Sequence, residues 1–376
     1  MDRCDVLIVG GGPAGSSCAR RLVRHGLRVV VLDKARFPRD KVCAGWVTPA
    51  VMEALEVDPG DYGRTRILQP ITGFRSGVIG GASLRTDYGR TVSYGIRRCE
   101  FDQYLLERSG AELRLGEPFE SMERGAGGWI VNDRIHVPLV VGAGGHFCPV
   151  ARVLGAKLGG SESVVAAKEI EFPMDDAQRR ACRVEPEVPE LYFCDDLMGY
   201  GWCFHKGEYL NIGLGREDNH KLTEHLQAFC GYLAGRGRIP ADIPGRFHGH
   251  AYLLYGHAPR QVTGDGVILV GDAAGLAYPQ SGEGIRPAVE SGLMAADTII
   301  EADGDFRSER LASYRERLVG RFGQDGGGAA ARLPAGLRTF LAGRLLSNRW
   351  FTRHVVLDRW FLRRGQPALE VREASA

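Results

Sequence analysis

Gly10-Gly11-Gly12-Pro13-Ala14-Gly15 follows an apolar run over residues 4–9 and opens a stretch of helical spacing over 13–25. A second, valine-rich apolar run covers 27–32 and ends at Asp33. Strand, tight turn, helix and strand within about 30 residues make a βαβ unit, which implies a parallel sheet with right-handed crossovers. The glycine string is a G-x-G-x-x-G with an acid 18 residues beyond its last glycine. These are the demands of dinucleotide binding. Gly10 permits the tight turn, Gly12 lets the backbone approach a pyrophosphate, and Gly15 lets helix and strand pack closely. The helix start at Pro13 and Ala14 presents amide N–H groups and a positive dipole end to phosphate. Asp33 is placed to accept hydrogen bonds from an adenosine ribose, and an acid there discourages a 2′-phosphate.

Working outward, two later apolar runs read as further strands of the same sheet. Residues 137–141 lead into Gly142-Ala143-Gly144-Gly145, and 267–270 lead into Gly271-Asp272. A carboxylate at a strand end, followed by small residues, suits ribityl hydroxyls. Gly282-Glu283-Gly284 then opens a helical pattern running to about residue 300. Amides at that helix start can stabilise negative charge on the N1/C2=O edge of a reduced flavin. Nicotinamide has no ribityl chain, so the expected cofactor is FAD.

Residues 64–97 and 164–255 read instead as short alternating runs, such as 163–172, 200–204 and 209–214, which suggests an inserted antiparallel sheet. The tail over 306–364 is mostly helical, with a break at Gly326-Gly327-Gly328. The expected class is α/β: a Rossmann-like FAD-binding domain with an inserted antiparallel β-sheet substrate domain and C-terminal helices. The expected segments are 1–65, 98–160 and 256–305 for the FAD domain, 66–97 and 161–255 for the substrate domain, and 306–376 for the helices.

Composition narrows the function. The chain has 376 residues, 44% hydrophobic and 25% charged, with a formal net charge of +2. That balance argues against a nucleic-acid partner. No apolar run approaches the length of a membrane span of about 20 residues. Glycine is the outlier at 52 residues, about twice the usual frequency, and it clusters at strand-to-helix junctions. The nine cysteines are odd in number and show no C-x-x-C spacing, so neither a disulfide framework nor a zinc site is expected. The N-terminus runs straight into a strand with no signal-peptide pattern, so the expected location is cytoplasmic. Between 332 and 364 there are eight arginines and one acid, Asp358, interspersed with tryptophan, phenylalanine and leucine. That pattern suits peripheral membrane contact as well as a packed helix with arginine in water.

The residues together resemble FAD-dependent oxidoreductases of the geranylgeranyl reductase type, in the p-hydroxybenzoate-hydroxylase-like flavoprotein group. The resemblance spans roughly 3–365. It rests on Gly10 to Gly15 with Asp33, Phe37-Pro-Arg-Asp-Lys41-Val-Cys43-Ala44-Gly45, Arg98-x-x-Phe101-Asp102, Gly142-Ala-Gly144-Gly145, and Gly271-Asp272 through Gly282-Glu-Gly284-Ile285. Tyr200-x-Trp202-x-Phe204-His205, then seven residues, then Gly213-x-Gly215 is similar to the family's Y-x-W-x-F-P-x7-G-x-G pocket signature.

The resemblance implies a cofactor set of Gly10, Gly12, Pro13, Ala14, Gly15, Asp33, Lys34, Lys41, Ala44, Gly45, Arg98, Gly144, Asp272, Gly282, Gly284 and Ile285. It implies that Tyr200, Trp202 and Phe204 line an isoprenoid cavity and that Gly213 and Gly215 turn the following strand. Cys43, at a family position facing the flavin, and His205 are the candidate acid–base residues. No metal is expected. Two departures stand out: the family's Asp-Gly pair is Gly144-Gly145, and His205 replaces the proline after Phe204. The same block overlays the pattern of flavin halogenases, but Tyr200 and His205 stand where those have tryptophan and proline. The expected activity is saturation of C=C bonds in a hydrophobic isoprenoid lipid or quinone by hydride from reduced flavin. The alternative is a single-component FAD monooxygenase acting on an aromatic or lipophilic substrate. With no second nucleotide fingerprint, the electron donor is NAD(P)H or a small redox protein.

Overall fold

The computed structural model describes residues 2–157, 164–218, 221–256, 260–323 and 344–370. Its first sheet has six strands in the order Thr263–Gly264, Val267–Leu269, Leu139–Gly142, Val6–Val9, Val29–Asp33 and Glu112–Leu115. All neighbours are parallel except the antiparallel edge strand Thr263–Gly264. The central strands are continuous runs of buried valine, leucine and isoleucine, as a sheet covered on both faces requires. Helices Pro13–Arg24 and Ile285–Ala302 cover one face, and Gly292 lets them touch, because a β-carbon there would enter the Ala14 carbonyl.

A small four-stranded sheet covers the other side. Its order is Asp2–Arg3, Ile135–Val137, Gly128–Val131 and Met122–Gly125. Trp129, Val131, Ile135 and Val137 join the hydrophobic cluster of the parallel sheet.

The second large sheet has seven strands in the order His248–Leu253, Val164–Pro173, Tyr209–Arg216, Gly199–Lys206, Glu190–Phe193, Gly73–Val78 and Ser83–Asp87. It is antiparallel apart from one pair, Glu190–Phe193 with Gly73–Val78, which is parallel. That pair joins strands far apart in sequence, so no hairpin fixes their direction. Strands Leu68–Ile71 and Ser93–Ile96 do not enter it and pair with Trp46–Val47 in a three-stranded sheet.

Period-two alternation splits strand Gly199–Lys206 between two environments. Cys203 faces a cluster with Ile212, Leu214, Phe229 and Leu233, built under helix Leu222–Gly235. This helix occupies a stretch read from sequence as alternating strands. Its buried residues Leu222, Leu226, Phe229 and Leu233 have helical spacing, which was the available signal. Trp202 and Phe204 face the opposite cluster, with Trp46, Phe74 and Ala167. The C-terminal helix, Arg349–Phe351 continuing in π geometry through Thr352–Phe361, closes that cluster with Val356, Leu357 and Phe361. The glycine break at 326–328 and the first part of the basic tail lie outside the described residues. Among the described residues no helix is long and apolar enough to cross a membrane.

Candidate active site

A cavity of about 640 Å³ runs from the carboxyl ends of the parallel strands to the inner face of the seven-stranded sheet. At the nucleotide end it is lined by Gly10, Gly12, Pro13, Ala14, Asp33, Lys34 and Gly144. Gly10 has φ +114°, and a β-carbon there would collide with the backbone of Ala143. Gly15 is not on the lining. It lets the helix sit directly on the Gly10 carbonyl, which is its packing role in the fingerprint. The Asp33 carboxylate accepts from Gly11 N–H and Ala35 N–H, each at 2.8 Å, so the turn itself fixes its orientation. The bare glycine backbone, the helix start and this oriented acid fit an adenine dinucleotide.

The middle of the cavity is ionic. Asp272 follows strand Val267–Leu269 in the short turn Gly271–Ala274, whose first amide donates to Ser291 Oγ at 2.9 Å. Arg98 makes a two-pronged pair with buried Asp102, both contacts 2.8 Å, and Arg39 reaches the same carboxylate at 3.3 Å. Lys41 Nζ lies 2.9 Å from His250 Nε2, and that nitrogen is 3.7 Å from Asp272 Oδ2. Burial lowers the Lys41 ammonium to about 8 against the pull of Asp272. Burial also pushes His250 down. For Asp272 burial acts upward, yet the His250 contact and the charges of Lys41 and Arg98 outweigh it, so its pKa falls below the usual carboxylate value.

At the far end stand Cys43, Ala44, Trp46, Tyr200, Trp202, Tyr252, Gly282, Glu283, Gly284 and Ile285. Tyr200 Oη donates to the Ser281 carbonyl, tying the sheet to the start of helix Ile285–Ala302. Gly282 has φ +65°, and a side chain there would strike Tyr252. Trp202 Nε1 donates to Asn211 Oδ1 at 2.8 Å, and Asn211 Nδ2 donates in turn to the Cys43 carbonyl at 3.2 Å. Glu169, buried behind them, has its carboxyl pushed up to about 8 by burial.

The expected site residues divide into three groups. Most line the cavity. Gly45, Gly213, Gly215 and Phe204 lie behind its wall: Gly45 (φ +63°) lets the loop pass the Ile96 carbonyl, Gly213 makes room for the Trp202 ring, and Gly215 lies near Ala167 and Trp202. Phe204 is buried against Trp46, their rings 6.4 Å apart.

His205 belongs elsewhere. The alternation that points Trp202 at the cavity points His205 to the opposite face, where its Nδ1 lies 2.9 Å from the Val184 carbonyl. Sequence reasoning missed His250, Tyr252, Trp46 and Asn211. The signal for the first two was the alternation of His248, His250 and Tyr252 along one strand, a polar and aromatic face within an otherwise ordinary edge.

Comparison with known proteins bears on this geometry. The family described as FAD binding domain matches residues 3–58. Menaquinone reductase of Mycobacterium tuberculosis is 30% identical over 360 residues, 90% of this chain and 85% of that protein. Digeranylgeranylglycerophospholipid reductase of Methanocaldococcus jannaschii is 27% identical over 339 residues, 84% of this chain and 82% of that protein. A solved structure of a geranylgeranyl bacteriochlorophyll reductase-like protein from Thermoplasma acidophilum has a TM-score of 0.71 at 23% identity, covering 92% of this chain and 88% of that one. At that identity the structural likeness speaks for the fold.

Proposed function

The chain belongs to the geranylgeranyl reductase family of FAD-dependent oxidoreductases, and from that premise we propose that it saturates C=C bonds in the isoprenoid chain of a lipid or quinone. The observation that carries this reading is the continuity of one cavity, from a glycine cradle for a dinucleotide to a wall of Trp46, Tyr200, Trp202 and Tyr252. Bound FAD supplies the hydride. The protein's own residues bind the cofactor, place the substrate and exclude water.

Gly10, Gly12, Pro13 and Ala14 hold the pyrophosphate by backbone approach and helix dipole. Asp33 and Lys34 hold the adenosine end. Lys41, Ala44, Arg98, Gly144 and Asp272 hold the middle, and Gly282, Gly284 and Ile285 present helix-start amides. Tyr200 and Trp202 form an apolar slot for the alkene and keep water from it. Cys43 lines the same end and is a candidate to touch the reacting atoms. Reducing equivalents arrive from NAD(P)H or a small redox protein.

A lipid substrate also suits the C-terminal helix. Trp350 is 66% exposed and Leu345 43% exposed, among arginines at 344, 349, 353 and 359. Such a surface favours the interface of an anionic bilayer. The test is the product. Holoenzyme reduced with dithionite and given a geranylgeranyl lipid is expected to yield, by mass spectrometry, a species gaining two hydrogens per bond. A species gaining oxygen, formed only in air, would replace this reading with a monooxygenase.

A further inference from the structure

Hydride delivery to an alkene leaves one requirement unmet, a proton for the second carbon. We propose that Lys41 is the proton donor and that His250 and Asp272 are its positioning residues. This deepens the reductase reading and rests on it. The three side chains come from three separate elements. Lys41 lies in the loop before Trp46–Val47, His250 on the edge strand His248–Leu253, and Asp272 in the turn after Val267–Leu269. All three line the cavity.

Their hydrogen-bonding capacities fix Lys41 as the donor toward His250. An ammonium only donates and a carboxylate only accepts. A neutral His250 ring is therefore the acceptor of the Lys41 contact, its Nε2 at 2.9 Å and Nδ1 at 3.2 Å from Lys41 Nζ, and Nε2 lies 3.7 Å from Asp272 Oδ2. That leaves two Lys41 N–H groups free of this contact. The surroundings agree. Burial brings the Lys41 ammonium down to about 8, a far better acid than an ordinary lysine while still charged at neutral pH. Burial and the nearby cations also keep the His250 ring neutral, as an acceptor must be. The groups facing Lys41 are Arg39 and Cys43 of its own loop, Arg98 of helix Arg98–Glu107, and Asp272 with His250. Tyr252 stacks on the His250 ring at 6.1 Å.

In the step, the alkene π bond breaks, and one carbon takes a hydride from the reduced cofactor. The other takes a proton from Lys41 Nζ, leaving a neutral amine that solvent reprotonates after product departs. The cofactor is left oxidised.

The test combines anaerobic single turnover with a spectroscopic titration. In wild-type holoenzyme, reoxidation by a geranylgeranyl lipid should fall off above about pH 8, as Lys41 loses its proton. Lys41→Met should slow it by about 100-fold per bound flavin, with rates taken on flavin-loaded protein. Lys41→Arg should fail to rescue, since a guanidinium keeps the charge but gives up no proton; rescue by arginine would overturn the donor role. His250→Gln should lower kcat more than it raises KM. Nitrogen NMR of the oxidised holoenzyme supplies a readout independent of turnover. Lys41→Met should raise the pH at which His250 protonates, because a neighbouring cation is gone, and an unmoved titration would overturn the coupling. A wild-type enzyme inert to every prenyl lipid, with that coupling intact, would overturn the reductase reading and the donor role with it.

Discussion

On one face of strand Gly199–Lys206, Tyr200 and Trp202 look into the cavity and hand their polar atoms to Ser281 and Asn211. On the other face Gly201 lies against the Phe229 ring and Cys203 is sealed under helix Leu222–Gly235. The residues alternate one by one, so the two environments share a backbone and differ only in what covers them. The difference is instructive. The cavity face carries large rings, with Tyr200 and Trp202 giving up their polar hydrogens to Ser281 and Asn211, while the covered face sets the small Gly201 and Cys203 under the helix and ties His205 to the Val184 carbonyl. Packing under helix Leu222–Gly235 holds one face, and the other is packed by Trp46, Phe74 and the C-terminal helix while its Tyr200 and Trp202 also line the cavity.

Four substitutions break or sharpen this contrast. Phe229→Ala should cost about 4 kcal/mol of stability through the cavity it leaves, measured by urea denaturation, with flavin content and kcat unchanged; a loss of kcat at full occupancy would merge the two faces functionally. Trp202→Ala should lower turnover about 100-fold through lost substrate placement while FAD stays bound, and loss of flavin instead would move Trp202 to the cofactor's side. Asp272→Ala should weaken FAD about 10-fold, the scale of a lost hydrogen bond to a charged group, read by flavin fluorescence on dilution. Unchanged retention would show that Arg98 and the glycine turn suffice. His205→Gln should change turnover by less than about twofold, since the side chain lies on the face away from the cavity and an amide can keep the Val184 contact, and a large drop would contradict that placement.

Legibility from sequence followed the same division. The dinucleotide turn was readable because backbone geometry restricts it to glycine: the positive φ of Gly10 and the contact of Gly15 with a carbonyl leave no room for a side chain. The strand carrying Tyr200 and Trp202 was readable as a strand, since alternation is local. Which face meets a ligand is not local. It depends on where helix Leu222–Gly235 and the C-terminal helix come to rest, and this is why His205 was mistaken for an acid–base candidate while His250 went unnoticed. The pairing of Lys41 with His250 spans 209 positions, and nothing in either neighbourhood announces it. The single parallel pair in the seven-stranded sheet was hidden for the same reason.

The central claim is that one continuous site joins a flavin to an isoprenoid double bond. Its most direct test is anaerobic: purified protein is photoreduced until its visible flavin band bleaches, and a geranylgeranyl lipid is then added without oxygen. Return of the band, in step with formation of the saturated chain, is the predicted result. A band that stays bleached until air is admitted would contradict it.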